Sequence, residues 1–163
     1  MIAAGVHAAL APSRTCVLHP GGVACGDSGA RFETLLGSCV AIVLTDPRRT
    51  VGAICHVVHA NAPHDAAGVD CAYGEHALAA MYGMLRARAI NPKLCEAFLY
   101  GGGNMFPFLF DCRHPGDSNV RWARSALDRD GIRLTTEDVG GATYRRLSWT
   151  VGAGMPVSIG VPV

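Results

Sequence analysis

Two residue types that together can cleave a carbonyl–nitrogen bond occur at Cys39 and His56. They lie in apolar runs on either side of Asp46-Pro47-Arg48-Arg49, a tetrapeptide typical of a type I turn because Asp is first and Pro second. A four-residue hairpin loop at these positions pairs Cys39 directly with His56. Directly opposed residues share one face of a sheet, with Cβ atoms about 4.5–5.5 Å apart. The sequence therefore predicts a thiol within reach of an imidazole, and a register slip of one residue would separate them.

A cysteine next to a histidine is suited to acyl transfer. The imidazole takes the thiol proton, the thiolate attacks a carbonyl carbon, and the imidazolium protonates the leaving group. Water then hydrolyses the resulting thioester on Cys39. Backbone N–H groups of Gly37, Ser38 and Cys39 are candidates for an oxyanion hole. The turn Gly101-Gly102-Gly103-Asn104 is expected to bring backbone close to the same site. The alternative is that Cys39 is only a packed thiol at the start of a strand.

The composition is that of an ordinary globular chain. Of 163 residues, 50% are hydrophobic and 17% charged, and the formal net charge is +1. This balance indicates neither a nucleic-acid partner nor a membrane surface. No apolar run approaches the roughly 20 residues that span a bilayer. Residues 1–11 are apolar, but the segment has no basic residue before its apolar part and His7 interrupts it. It therefore does not resemble a signal peptide.

The seven cysteines form no metal-binding or redox motif. None of them are spaced as Cys-x-x-Cys, and their separations of 9 to 24 residues fit neither a zinc ribbon nor a thioredoxin-type motif. An odd number of cysteines, several inside apolar stretches, indicates reduced thiols in a cytoplasmic protein. We expect no cofactor and no metal.

The predicted elements mix hairpin strands with helices. After the hairpin comes a polar loop, 59–68, and then a helix from Asp70 to about Arg88, in which Leu78, Met81, Tyr82 and Leu85 recur at helical spacing. A short strand at 97–100 and a helix at 118–130, capped by Asp117 or Ser118, follow. The last strands are predicted at 132–136, 144–151 and 156–161.

These elements predict one α+β domain of stacked mixed sheets flanked by helices. Residues 1–19 form an N-terminal segment that is expected to be flexible, and the first firm strand is placed at Leu35. Both hairpin strands are apolar on both faces, so the hairpin should be covered on both sides.

Several segments together resemble the CheD family of chemoreceptor glutamine deamidases. The first matching segments are Leu36-Gly37-Ser38-Cys39-Val40, the Asp-Pro turn and His56. They are followed by Ala97 to Met105, which is similar to the family's glycine-rich stretch. Two further segments follow in the family's order, Gly116-x-x-Asn119-Val120 and then Asp138-Val139-Gly140-Gly141 with Arg145. The resemblance covers about residues 20–159.

The resemblance implies a fold related to the catalytic domain of glutamine-deamidating bacterial toxins. It also implies hydrolysis of glutamine side-chain amides on methyl-accepting chemotaxis receptors, with release of ammonia. Esterase activity on methylated glutamates and binding to a CheC-type phosphatase are further implied properties. Neither nucleic-acid binding nor membrane insertion is expected.

The chain departs from the family at the third catalytic position. The family has a threonine six residues before the cysteine, where this chain has Glu33, while Thr34 lies five before. Because side chains alternate along an extended segment, Thr34 is expected to point the other way. Glu33 could then orient His56 in a Cys-His-Glu set, so Glu33 and Thr34 are both candidates.

Two function classes remain open. The first is an amidohydrolase that acts on receptor glutamines. The second is a binding module that docks on receptors or on a phosphatase, with catalysis weakened at Glu33 and at Phe98, where the family has a lysine.

Overall fold

The computed structural model describes residues 14–109 and 114–162. Two mixed β-sheets face each other, and two helices cover the outer face of the larger sheet. The strands are β1 (Thr15–Val17), β2 (Val23–Asp27), β3 (Arg31–Leu36), β4 (Val40–Thr45), β5 (Val51–Val57), β6 (Glu96–Gly101), β7 (Arg133–Val139), β8 (Tyr144–Thr150) and β9 (Val157–Val161). The helices are α1 (Gly74–Ala87) and α2 (Pro115–Arg129), with a 3₁₀ turn at Pro92–Leu94.

The larger sheet has the order β2-β5-β4-β6-β7 and the smaller sheet the order β1-β3-β8-β9. Every residue of β4 and β5 is buried. One face of these strands packs against α1 and α2, and the other packs against the smaller sheet. The predicted fold class of stacked mixed sheets flanked by helices is therefore confirmed, with both helices on one side.

The hairpin forms, but in a different register from the predicted one. The turn is present, since the Arg49 amide donates to the Asp46 carbonyl at 2.8 Å. The Asp46 carboxylate, however, accepts hydrogen bonds from the amides of Thr50 and Val51, so the first ladder pair is Thr45 with Gly52. The loop is two residues longer than predicted, and the register moves by two. An even shift preserves which residues share a face.

Both helix starts differ from the predicted ones. α1 begins at Gly74, because the Asp70 side chain accepts a bond from the Ala72 amide in a turn outside the helix. α2 begins at Pro115, and its N-cap is His114, whose ring accepts a hydrogen bond from the Gly116 amide. A proline at the first helical position suits a start there. Asp117 and Ser118 therefore lie inside α2.

Three strands that the sequence did not predict, β1, β2 and β3, come before the hairpin, which begins at Val40 rather than at Leu35. β1 falls within the segment expected to be flexible, while residues 1–13 lie outside the described residues. β3 pairs in parallel with β1 and antiparallel with β8. The turn that follows β7 at Gly140 and Gly141 leads from the larger sheet to β8 in the smaller one.

In the described part of the chain, neither helix has the length and apolarity that crossing a bilayer requires.

Candidate active site

Cys39 lies one residue before β4, after the bend at Gly37 and Ser38 that leads from β3 in one sheet to β4 in the other. Its half-buried side chain packs at the margin of the layer between the sheets. It also opens onto a cavity of about 340 Å³. The cavity is further lined by Gly37, Ser38, Gly103, Asn104, Met105, Phe106, His114, Pro115 and Tyr144. The thiol thus faces a cavity that is large enough to admit a small group of a substrate.

His56 lies on the same face as Cys39, at a diagonal position. Its direct partner on β4 is Ala41, two residues after Cys39, so the predicted direct opposition is wrong while the shared face is retained. Diagonal neighbours remain within reach of a long side chain. The His56 side chain is buried, and its Nε2 has no hydrogen-bond partner in the described residues, Cys39 included. Such catalytic bonds often close only when substrate binds.

Thr34 fixes the tautomer of neutral His56. Its hydroxyl oxygen lies 2.7 Å from His56 Nδ1 and 2.8 Å from the Leu18 carbonyl oxygen. A carbonyl can only accept, so the single hydroxyl proton goes to Leu18 and the hydroxyl accepts from Nδ1–H. Neutral His56 therefore carries its proton on Nδ1, which leaves the Nε2 lone pair free to act as a base.

Glu33 does not contact His56, contrary to one of the two candidate assignments. It lies on the outer face of β3, where its carboxylate pairs with Arg31 at 3.0 Å. The inward positions of β3 are Phe32, Thr34 and Leu36, all of them buried. The bend at 37–38 interrupts the extended segment, so the side-chain directions of Glu33 and Thr34 cannot be counted back from Cys39.

Burial shifts the pKa values of Cys39 and His56 so that each group favours its neutral form. It raises the pKa of Cys39, and the nearby backbone amide of the same residue only partly offsets this. Burial lowers the pKa of His56 to about 4, although the Leu18 carbonyl acts in the opposite direction. Both shifts favour neutral groups. The resting site is therefore a thiol beside a neutral imidazole rather than a thiolate–imidazolium pair.

The glycine turn supports the cysteine segment and does not supply oxyanion donors. The Gly102 amide donates to the Cys39 carbonyl, and the Gly103 amide to the Gly37 carbonyl, both at 2.8 Å. Gly101 has φ +105°, and a Cβ there would collide with the Cys39 carbonyl oxygen. Asn104 lines the cavity. Gly101, Gly102 and Gly103 thus hold the backbone of Cys39 in place. This is the close approach of the glycine turn to the site that the sequence predicts.

The amides of Gly37, Ser38 and Cys39 all lack an acceptor among the described residues, and those of Ser38 and Cys39 are nearest the thiol along the chain. The amides of Ser38 and Cys39 both belong to residues that line the cavity. These two groups fit the predicted oxyanion hole near Gly37, Ser38 and Cys39.

Some site groups were missed by sequence reasoning. The Leu18 carbonyl is a backbone group that any residue could supply, so no sequence signal marks it. Tyr144 and Met105 form walls of the cavity and lie close to Gly37, where an added Cβ would meet Met105 Cε at 2.9 Å and Tyr144 Cε1 at 3.0 Å. His114 was hidden because the start of α2 was misplaced.

Across residues 14–109 and 114–162, no three side chains among His, Cys, Asp and Glu are grouped as metal ligands. A larger cavity of about 480 Å³ lies between α2 and β7, but its lining includes neither a cysteine nor a histidine.

The geometry defines a class: a two-sheet α+β chain in which a cysteine, a histidine and a threonine lie close together at one end of the sandwich. The family model described as CheD chemotactic sensory transduction matches residues 58–156, which is more than half of the chain. A Pseudomonas syringae pv. tomato protein is 34% identical over 134 residues, covering 80% of each chain. A Dechloromonas aromatica protein is 35% identical, covering 84% of this chain and 82% of its own.

Both relatives bear the name "Probable chemoreceptor glutamine deamidase CheD", the second with the number 3. This chain belongs to the CheD family. Among solved structures, a Neisseria meningitidis protein of the DUF152 family has a TM-score of 0.48 at 13% identity, covering 80% of this chain and 64% of that one. That likeness is too weak to support an argument. Cys39 and His56 lie outside the residues matched by the family model, so their roles rest on geometry.

Proposed function

We propose that this protein hydrolyses the side-chain amide of glutamine residues on chemoreceptors, with Cys39 as the nucleophile. The observation that carries the proposal is the Thr34–His56 contact, which leaves the imidazole Nε2 lone pair available on the face shared with Cys39. The names of the relatives supply the substrate class. A free imidazole lone pair beside a thiol at a cavity is the minimum that an amide hydrolase of this kind needs.

The first half-reaction transfers the acyl group to sulfur. As Cys39 Sγ attacks the carboxamide carbon, its proton passes to His56 Nε2, because both groups are neutral at rest. The oxygen of the tetrahedral intermediate accepts hydrogen bonds from the free amides of Ser38 and Cys39. Nε2–H then protonates the leaving nitrogen, ammonia departs, and a thioester remains on Cys39. An imidazole whose pKa is lowered to about 4 returns its proton readily.

The second half-reaction restores the enzyme. Water gives a proton to His56 Nε2 while its oxygen attacks the thioester carbon. The tetrahedral intermediate collapses by breaking the carbon–sulfur bond, and sulfur takes the proton back from Nε2. The product is glutamate. A methylated glutamate enters the same sequence with methanol as the leaving group, so we include methyl-ester hydrolysis in the proposal.

The alternative of a purely binding module has less support. Phe98, which replaces a family lysine, is buried between the sheets, and Glu33 lies on the outer face of β3. Neither substitution removes a group from the cavity at Cys39. Docking on a CheC-type phosphatase and a cytoplasmic location remain part of the proposal as properties that accompany the enzyme.

The test is ammonia release from the cytoplasmic fragment of a methyl-accepting chemoreceptor. We expect Cys39→Ala and His56→Ala to reduce release to background. The matched control is Cys25→Ala, because Cys25 is buried on the helix side of the larger sheet, away from the cavity. Release by the Cys39→Ala variant at the wild-type rate would exclude Cys39 as the nucleophile. An inactive wild-type protein would instead favour the binding module.

A further inference from the structure

Asn119 is a buried polar residue with no role in the reaction described so far. It lies on α2, and its side chain is 1% exposed. Its Nδ2 donates to two carbonyl oxygens, that of Ser38 at 3.0 Å and that of Val58 at 2.9 Å. One acceptor immediately precedes Cys39 and the other lies two residues after His56. One side-chain amide therefore joins the helix to the segments that carry both reacting groups.

The bond to Ser38 determines where the Cys39 amide points. The described residues contain no cis peptide bond, so the carbonyl of Ser38 and the N–H of Cys39 point in opposite directions across their shared peptide plane. With the carbonyl held toward α2 by Asn119, the N–H is directed away from the helix. It has no acceptor among the described residues.

The neighbouring peptides are held in the same way by backbone groups alone. The Gly37 carbonyl accepts from Gly103 and the Cys39 carbonyl accepts from Gly102. The Ser38–Cys39 peptide is the one member of this series whose carbonyl is held by a side chain. A substitution at Asn119 thus releases the carbonyls of Ser38 and Val58, while the glycine turn keeps the peptides on either side of Ser38–Cys39 in place.

We infer that Asn119 is a positioning residue for the oxyanion hole: by holding the Ser38 carbonyl, it aims the Cys39 amide at the oxygen of the tetrahedral intermediate. The inference rests on the proposed function. Loss of one oxyanion donor typically lowers kcat by about 10²–10³-fold, so we expect a loss in this range for Asn119→Ala, with KM changed by less than about threefold because little charge develops on the ground-state oxygen.

The decisive measurement separates the oxyanion hole from the thiol. Iodoacetamide alkylates Cys39 by displacement at a saturated carbon, a reaction that forms no oxyanion but still needs an accessible thiol. Receptor-fragment deamidation and alkylation of the Cys39 peptide, followed by mass spectrometry, are compared in wild type and Asn119→Ala. We expect deamidation to fall by the stated factor while alkylation changes by less than about threefold.

Two further variants control for folding. Asn119→Ser keeps one donor in a smaller side chain, so it should fold if Asn119→Ala does not, and should also lose kcat. Leu127→Ala removes a buried side chain further along α2 and should lower stability without changing kcat below its melting temperature. A parallel fall of alkylation and deamidation, or an unchanged kcat in a folded Asn119 variant, would overturn the inference. Failure of the wild-type protein to release ammonia would count against the proposed function instead.

Discussion

The hydroxyl of Thr34 and the imidazole of His56 meet at 2.7 Å across the gap between the two sheets. Thr34 belongs to β3 of the smaller sheet and His56 to β5 of the larger one. The orientation of the proposed base therefore depends on how the two sheets pack, and not on the hairpin alone.

We expect Thr34→Val to slow deamidation. Valine has nearly the shape of threonine, but it accepts no hydrogen bond, so Nδ1 no longer has a fixed partner and the Nε2 lone pair is less often available. Loss of a charged orienting residue in the serine-protease triad costs about 10⁴-fold in kcat. Thr34 is neutral, so we expect a smaller loss, about 10–10²-fold. The measurement is kcat for ammonia release from the receptor fragment.

Two matched variants show whether the hydroxyl is responsible. Thr34→Ser retains it and should recover most of the rate. Glu33→Gln changes the adjacent residue, whose carboxylate pairs with Arg31 outside the sandwich, and should leave kcat within about twofold because exposed ion pairs contribute little. A larger loss in Glu33→Gln than in Thr34→Val would reverse the assignment.

The two positions show why part of the site was predictable from sequence and part was not. The shared face of Cys39 and His56 followed from strand alternation, which survived a register error of two because that error was even. The choice between Glu33 and Thr34 needed the direction of side chains on the far side of a bend. Local pattern cannot provide this, since the direction is reset where the chain crosses between sheets at 37–38.

The missed strands have a similar physical origin. β1 and β2 are short and rich in small residues, and their place in the sheets is determined by partners distant in sequence, Arg31 to Glu33 for β1 and Val51 to Cys55 for β2. Strand propensity reflects packing against such neighbours rather than a backbone preference. The long apolar runs of β4 and β5 were predictable because burial on both faces leaves a strong local signal.

The acid limb of the activity profile should lie well below the ordinary histidine range. Protonated His56 cannot accept the thiol proton, so activity is lost as pH falls through the pKa of the free enzyme, which burial lowers to about 4. We expect kcat/KM to show no decline near the unperturbed value of about 6.5. Because burial raises the pKa of Cys39, its alkylation by iodoacetamide should keep rising at alkaline pH. An acid limb centred near 6.5 would show that His56 is not the buried base.

The same shift links folding stability to pH. The folded pKa of His56, about 4, lies below the unfolded value, so the unfolded chain binds more protons between these values. The stabilisation is fully present above about pH 6.5 and is lost as pH falls toward 4. Between pH 7 and pH 5 the predicted loss is roughly 2 kcal/mol. Urea unfolding of wild type and of His56→Gln at pH 7 and pH 5 gives the contribution of His56 as the difference between the two proteins. If the free energy of unfolding changed equally with pH in both proteins, the assignment would be contradicted.

Gly101→Ala should inactivate the protein more than it destabilises it. A Cβ at position 101 meets the Cys39 carbonyl oxygen, and the φ of +105° disfavours any other residue. Relief of this collision must displace the backbone of Cys39 and with it the thiol. The matched control is Gly83→Ala in α1, where a Cβ meets nothing within 4 Å and should stabilise the helix by about 1 kcal/mol. Wild-type kcat in folded Gly101→Ala would show that the close approach is unnecessary.

Free glutamine should be a very poor substrate, while a glutamine on a receptor fragment is turned over. The walls of the cavity at Cys39 include Met105, Phe106, Pro115 and Tyr144, and no lysine, arginine or carboxylate among the described lining residues is placed to bind an α-carboxylate or an α-amino group. The nearby Arg145 is buried and bonded to Asp138 at 3.0 Å.

The carboxamide must therefore be positioned by contacts with the rest of a protein substrate, and binding energy of this kind appears in the rate of the reacting step. Phe106 lines the cavity, Phe108 follows it two residues later, and both are strongly exposed, so they are suited to such contacts. We expect kcat/KM to rise from free glutamine to a short glutamine peptide to the receptor fragment, and Phe106→Ser to lower it for the fragment alone. If remote contacts contributed nothing, kcat/KM would be similar for all three substrates. That result would identify a small-molecule glutaminase and remove the receptor from the proposal.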